Sequence, residues 1–297
     1  MSNFLSHQAH RILKQFIHVK SLDGDICSSL IKEELLKDKP SMIARFGSVE
    51  IKAVLYPKMP YLIRIAMKKW AITDMELLAG FYPATKANLQ KFSDLMIEDM
   101  KLLDILGSWR MEERFFQKYY PLAIKVKLNT LEPYLQKDPW TEVLEGKKIL
   151  VIHPFSETIE HQYFNNRKLL FKDTRVLPEF KTLETIKAVQ TIAGNNRGIF
   201  KDWFEALDYM KSEIDKKDFD IAIIGCGAYG FPLAAHVKRL GKKAIHLGGA
   251  TQLLFGIKGK RWVERDDFKS IINNHFVSPK DQDRPDNSRT VEGGSYW

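Results

Sequence analysis

The sequence predicts an α/β protein: a mainly parallel sheet with helices on both faces, preceded by a helical N-terminal segment. Three observations predict it. From residue 147 onward, short apolar runs alternate with amphipathic stretches of helical period, the rhythm of βα units. Two of these runs, KILVIH (148–153) and FDIAII (219–224), are continuously apolar over most of their length, as buried strands are. Several runs end at a glycine or proline just before a helical pattern, at Gly47, Pro154, Gly225 and Gly248.

The elements follow in order. Apolar residues at helical spacing over 4–19 and 26–37 predict two opening helices, the second capped by Asp25. SMIAR (41–45) reads as a strand, Phe46-Gly47 as a tight turn, and 49–55 as a helix. A long amphipathic helix is expected over 85–106, while 107–140 is rich in aromatics and shows no clear period. After the strand 148–153 come a helix over 156–170, a short strand at 175–177 stopped by Pro178, and a helix over 202–215 with Asp202 as its cap. Then 219–224 is a strand, 229–240 a helix, 243–247 a strand, and 251–255 the start of a short helix. The polar, turn-rich residues 278–297 read as an extended tail whose Tyr296-Trp297 end docks back on the body. The whole of 1–297 is expected to form one domain, with 1–40 as its helical N-terminal segment.

Composition narrows the function classes. The chain has 297 residues, 44% hydrophobic and 28% charged, enough for a sizeable core and far from a disordered or fibrous composition. Two cysteines, Cys27 and Cys226, form no disulfide framework and no four-ligand zinc site, so a reducing cytoplasm is the expected location. The N-terminus has no apolar stretch of the signal-peptide kind. The longest uncharged run, 221–237, contains three glycines and a proline and falls short of the roughly 20 residues of a membrane span. Lys and Arg exceed Asp and Glu by 46 to 37, a formal +9, but acids interleave almost everywhere. A nucleic-acid footprint would cluster, so no nucleic-acid partner is expected. The two local basic clusters are RIAMKK (64–69) and KGKR (258–261).

Four strand ends can carry chemistry. GCGAYG (225–230) matches G-x-G-x-x-G between a strand and a helix, where small residues and free helix N–H groups suit a diphosphate. The alternative is that these glycines only allow close helix–sheet packing. A dinucleotide site also needs an acid at the end of the next strand. This chain has His246-Leu247-Gly248-Gly249 there, which argues against a nicotinamide-dependent dehydrogenase and against a methyltransferase. Gly248 and Gly249 form a second glycine turn, followed by Lys258, Lys260 and Arg261. The third strand end offers Arg45 with Glu50 in the next helical turn, a pair suited to a phosphorylated ligand, or Glu50 serves only the helix dipole. The fourth offers His153 and Glu157 as general bases toward a hydroxyl, or Ser156 and Glu157 as helix-start residues.

Three segments, ARFGSVE (44–50), the strand-turn-helix region 224–256, and VEGGSYW (291–297), resemble bacterial proteins encoded among polysaccharide-biosynthesis enzymes and related to the GT-D fold glycosyltransferases. The resemblance covers most of the chain and is strongest from Lys147 onward. In that family a strand ending in Arg-x-Gly is followed by Asp-x-Glu, whose acids serve a nucleotide-sugar diphosphate and its divalent metal. Arg45, Gly47 and Glu50 match, and Ser48 stands where the family has the first acid. A serine hydroxyl is a poor substitute for a carboxylate at Mg²⁺ or Mn²⁺, so a metal at Glu50 is the point on which this sequence departs.

The resemblance implies a Rossmann-like GT-D type sheet and a cytoplasmic glycosyltransferase, peripheral at the inner face of the membrane, moving a sugar from a nucleotide diphosphate to a surface polysaccharide or lipid-linked glycan. Donor binding is assigned to Gly225, Gly227, Tyr229, Gly230, His246, Gly248, Gly249 and Lys258. Arg45, Gly47 and Ser48 are assigned to the diphosphate, Glu50 to the diphosphate or metal, and Glu157 or His153 to the acceptor base. The alternative is a non-catalytic nucleotide-sugar or glycan-binding assembly factor of the same fold. A diffuse positive surface fits anionic lipid.

Overall fold

The structure, a computed structural model, describes residue 22, residues 26–195 and residues 198–297, without the side chains of Lys69, Trp70 and Glu292. The expected first helix and the Asp25 cap lie outside the described residues. Seven strands, β1 (Ser41–Ala44), β2 (Ile105–Ser108), β3 (Ile124–Lys127), β4 (Lys148–His153), β5 (Thr182–Lys187), β6 (Ile221–Ile224) and β7 (Lys243–His246), form one sheet in the order β3-β2-β1-β7-β6-β4-β5. Every neighbouring pair is parallel. β1 to β3 are laid down in one direction from the centre, and β7 returns from the other half to pair with β1. The connections from β6 to β7 and from β4 to β5 run in opposite directions on opposite faces, so the strand order reverses between β6 and β4, the kind of position at which α/β sheets open a ligand crevice at their carboxyl edge.

Alternation along each strand divides the core in two. Met42 and Ala44, Leu150 and Ile152, and Ala222 and Ile224 point to one face. Ile43, Ile149, Val151, Ile221 and Ile223 point to the other. The first face is covered by α2 (Ser48–Leu55), α3 (Tyr61–Leu77), α4 (Lys86–Met100), α6 (Trp203–Asp215) and α7 (Gly230–Arg239) through residues such as Ile51, Met75, Phe92, Met210 and Leu233. The second is covered by α1 (Ile26–Leu36), α5 (Ser156–Leu170), α8 (Ala250–Leu254) and α9 (Lys260–Val263) through Ile31, Ile159, Leu253 and Trp262. Helices thus stand on both faces of a parallel sheet, as the sequence predicts.

Local chemistry sets several boundaries. Thr85 accepts the Asn88 N–H and starts α4, and Asp202 accepts the Glu205 N–H at 2.9 Å and starts α6. The helix expected over 85–106 stops at Met100, because Ile105–Ser108 pairs with β1 and β3 as a buried strand. The strand expected at 175–177 is instead a single 3₁₀ turn, Thr174–Val176, and the strand beside β4 is Thr182–Lys187. That strand lies at the sheet edge with a single buried residue, Ile186, so its polar TLETIK sequence hides it. The described cysteines, Cys27 and Cys226, are buried and not disulfide-bonded. No helix among the described residues is long and apolar enough to cross a membrane.

Candidate functional site

All seven strands deliver their carboxyl-end loops to one cavity of about 250 Å³. β1 supplies Arg45, Gly47, Ser48 and Glu50; β2 supplies Trp109; the turns after β3 supply Glu132. β4 supplies His153 and Phe155, β5 Gln190 and Thr191, β6 Gly225, Gly227 and Tyr229, and β7 His246, Gly248 and Gly249. Arg261 and Arg265 from around α9, with Tyr296 and Trp297 from the tail, complete the wall. The tail end does dock on the body, where Gln252 donates to the Tyr296 carbonyl at 3.1 Å, and it closes on itself, the Trp297 indole donating to the Asp283 carbonyl at 3.1 Å.

Three guanidinium groups reach this cavity. Arg45 lies 4.9 Å from the centre of the Trp109 ring, and the Trp109 indole is pinned by donating to the Phe46 carbonyl at 2.9 Å. Burial lowers the Arg45 pKa, the nearby Glu50 carboxylate opposes that, and a guanidinium so placed still carries its charge at neutral pH. Arg261 sits over both Trp262 and Tyr296, at 5.3 and 4.9 Å, which fixes its plane on aromatic faces. Arg265 is held by a hydrogen bond to Asp267, which raises its pKa above the ordinary value.

Two carboxylates face these cations. Glu50 folds back over Gly47 so closely that a Cβ at that position would lie 1.7 Å from its Oε2, so only glycine permits this arrangement. Glu132 receives the Tyr134 hydroxyl at 2.8 Å. Burial raises its pKa above the usual carboxylate value, while the Tyr134 bond and then Arg265, Arg261 and Arg45 pull it back. A carboxyl with that balance is a candidate proton acceptor.

The buried histidines are neutral. The Phe155 N–H donates to His153 Nδ1 at 3.0 Å, and desolvation brings the His153 pKa down to about 3. His246 Nδ1 lies 3.2 Å from the Ile224 carbonyl, to which it donates. Its pKa also falls to about 3, through burial first and then the charge of Arg45. Tyr229 is a wall residue held by packing: it stacks on Trp203 at 4.9 Å. The Thr191 hydroxyl donates to the Gly80 carbonyl, so Tyr229, 3.0 Å away, must donate to Thr191. Burial raises the Tyr229 and Cys226 pKa values, so neither ionises near neutral pH.

The glycines divide between two duties. Gly227 (φ +56°) and Gly248 (φ +63°) adopt the left-handed conformation at the cavity wall. Gly225 and Gly230 serve packing. A Cβ on Gly225 would meet the Gly248 carbonyl at 2.6 Å, and one on Gly230 would meet the His246 ring at 2.1 Å. Gly249 leaves room for the Tyr296 ring, which a Cβ would meet at 2.8 Å.

Three expected residues stand off the cavity wall: Gly230, packed against His246, and Glu157 and Lys258. Glu157 is exposed and does not line the cavity. Lys187 at 3.4 Å and Lys280 at 3.6 Å hold its carboxyl below the usual range. Lys258 also lies off the wall, its backbone N–H tied to the Val277 carbonyl, and Arg261 occupies the place expected of it. His153 reaches the cavity, but its lowered pKa and its Nδ1, occupied by the Phe155 N–H, make it a poor base. Trp109, Glu132 and Arg265 were not read as site residues from the sequence. Glu132 and Trp109 fall in the aperiodic stretch 107–140, and Arg265 follows the visible KGKR cluster by four positions.

The donor set does not fit a metal centre built by the protein. Among the described residues no three His, Cys, Asp or Glu side chains are grouped as metal ligands. Glu50 and the Ser48 hydroxyl would be a meagre shell for Mg²⁺ or Mn²⁺, whereas three guanidiniums already supply positive charge.

No family model matches the sequence, and no curated protein matches it. Two solved structures do. One is a selenomethionine-substituted structure of domain of unknown function 1792 (DUF1792), 13% identical over 81% of this chain and 82% of that one, with a TM-score of 0.41. The other is described as a new glycosyltransferase (DUF1792) from Streptococcus sanguinis, 12% identical over 90% of this chain and 96% of that one, also with a TM-score of 0.41. At that distance the likeness assigns no residue a role.

Proposed function

We propose that the protein is a glycosyltransferase that takes a sugar from a nucleotide diphosphate donor. The observation that carries this reading is the convergence of Arg45, Arg261 and Arg265 with the Glu50 and Glu132 carboxylates in one cavity at the sheet's switch point. The resemblance of residues 44–50, 224–256 and 291–297 to GT-D fold glycosyltransferases supports it independently. The acceptor is a glycan hydroxyl, on a surface polysaccharide or its lipid-linked precursor.

As the anomeric carbon–oxygen bond breaks, its electron pair goes to the departing diphosphate. Preorganised guanidiniums and the amides at the start of the β6–α7 turn stabilise that charge. The acceptor oxygen bonds to the anomeric carbon and its proton passes to Glu132, whose raised pKa suits the task. Arg45, Arg261 and Arg265 do the electrostatic work that a divalent cation would otherwise do, and no step is routed through a metal. Glu50 holds Arg45 in place by its charge.

Donor hydrolysis and transfer by the wild type, Glu132→Gln and Glu50→Gln test the reading. Glu132→Gln is expected to lower turnover about 100-fold while nucleotide binding persists; unchanged turnover would remove Glu132 from the mechanism. A second reading, a nucleotide-sugar-binding assembly factor without catalysis, is favoured by Ser48 at the family's acid position. Binding with no turnover in the wild type or either variant would establish that reading instead.

A further inference from the structure

The first half of α3 is exposed at most of its positions. Tyr61, Leu62, Ile63 and Ile65 are 66%, 78%, 48% and 56% exposed, and Ala66 and Lys68 are exposed as well. Exposure at nearly every position means that this end of the helix stands proud of the body. Four large apolar side chains in five residues is also a density that solvent-facing helices avoid.

The charge around this ridge has one sign. From Tyr56 to Thr73 the sequence contains Lys58, Arg64, Lys68 and Lys69 and no Asp or Glu. Lys58 and Lys68 are exposed, and Arg64 is half-buried with its guanidinium 5.9 Å from the Tyr61 ring and donating to the Pro57 carbonyl. Among the described residues, Asp94 approaches this segment, 4.0 Å from Lys58. Apolar residues on a protruding helix, flanked by cations, are the chemistry of an interfacial helix.

We infer that residues 58–68 dock the protein on an anionic lipid surface, with Leu62 and Ile65 entering the acyl boundary and Lys58, Arg64 and Lys68 meeting lipid phosphates. A protein partner fits the observations less well, because a convex ridge of four side chains offers far less than the roughly 800 Å² per side of a stable interface. The other end of the same helix leads into the site: Leu78 and Ala79, just beyond α3, line the cavity. Thirteen residues separate Ile65 from Leu78, about 20 Å at the helical rise. If the glycosyltransferase reading holds, this spacing selects a lipid-anchored glycan as acceptor. The docking itself does not depend on that reading.

Sedimentation of the full chain with vesicles of phosphatidylcholine and 30% phosphatidylglycerol at about 0.1 M salt, a screening regime in which surface charge still acts, tests the inference. The wild type is expected to bind these vesicles and to bind pure phosphatidylcholine much more weakly. Leu62→Ser with Ile65→Ser should lower the partition coefficient at least about tenfold, from the loss of two half-inserted side chains. Lys58→Gln with Lys68→Gln should weaken binding and flatten its salt dependence. All four positions are exposed, so folding is preserved, as an unchanged circular-dichroism spectrum and thermal unfolding midpoint would verify. Absence of wild-type binding to anionic vesicles, or equal binding by the Ser variant, would overturn the inference. So would a wild-type dimer that the Ser variant dissociates, because the ridge would then be a contact between copies.

Discussion

Replacing Gly230 with Ala separates the two duties that the GCGAYG turn could perform. The new Cβ would stand 2.1 Å from His246 Cε1 and 2.3 Å from Nδ1, against a buried ring hydrogen-bonded to Ile224. Overpacking of this kind costs about 1–3 kcal/mol, and loss of the His246–Ile224 bond adds about 0.5–1.5 kcal/mol. Alanine's helix preference returns at most about 1 kcal/mol, and less in a first turn. The balance is a destabilisation of about 2 kcal/mol, a fall in Tm of roughly 3 °C for a chain of this length. Urea and thermal unfolding of Gly230→Ala, His246→Ala and the double variant measure it. Removing the ring creates the space that the Cβ needs, so the double variant should be more stable than additivity predicts, by about 1 kcal/mol or more. Strict additivity, or a Gly230→Ala protein of wild-type stability that no longer binds nucleotide, would refute the packing role. The second outcome would make Gly230 a ligand-approach glycine instead.

Two further predictions concern buried charge. His153 and His246 have folded pKa values near 3 against an ordinary 6.5. Their neutral burial therefore contributes stability fully above pH 6.5, and each loses about 1.4 kcal/mol per pH unit as pH falls toward 3. Asp99, with a folded pKa raised to about 6, works in the opposite direction between pH 6 and 3.8 and offsets part of one histidine's loss. Urea unfolding at pH 7.5, 5.5 and 4.5 should show this decline and His153→Asn should flatten it; a pH-independent midpoint would contradict the assignment. Arg239→Ala should cost about 3 kcal/mol at pH 8, because it leaves the fully buried Asp99 carboxylate without its cation. The cost should shrink at pH 5, where Asp99 takes a proton, and an equal loss at both pH values would contradict it.

How much was legible in the sequence follows from how each part is encoded. β4, β6 and β7 could be read because strands buried on both faces are written as apolar runs. The loops at Gly47, Gly225 and Gly248 could be read because glycine marks close approach and left-handed backbone. The parallel sheet follows from their alternation with helices. β5 was hidden because an edge strand keeps a polar face, and α3 because its outward half is apolar and shows no clean helical contrast. Glu132 and Trp109 lie on short 3₁₀ turns and loops after β2 and β3, where no period exists and only the fold brings them to the cavity. Glu157 was expected because it opens a helix next to a strand end, yet α5 carries it outward toward Lys187. Which way a helix turns its first residues is a tertiary fact.

The central claim is that the cavity binds a diphosphate through its guanidiniums. Its most direct measurement is the thermal shift of the wild type and of Arg261→Ala with UDP, GDP, dTDP and CMP, in EDTA and in Mn²⁺. At a ligand concentration about 100 times Kd the stabilisation is about 2.7 kcal/mol, several degrees in Tm. The account predicts such a shift with at least one nucleoside diphosphate in EDTA, and its loss or marked reduction in Arg261→Ala. No shift with any of the four nucleotides, in either buffer, would contradict it.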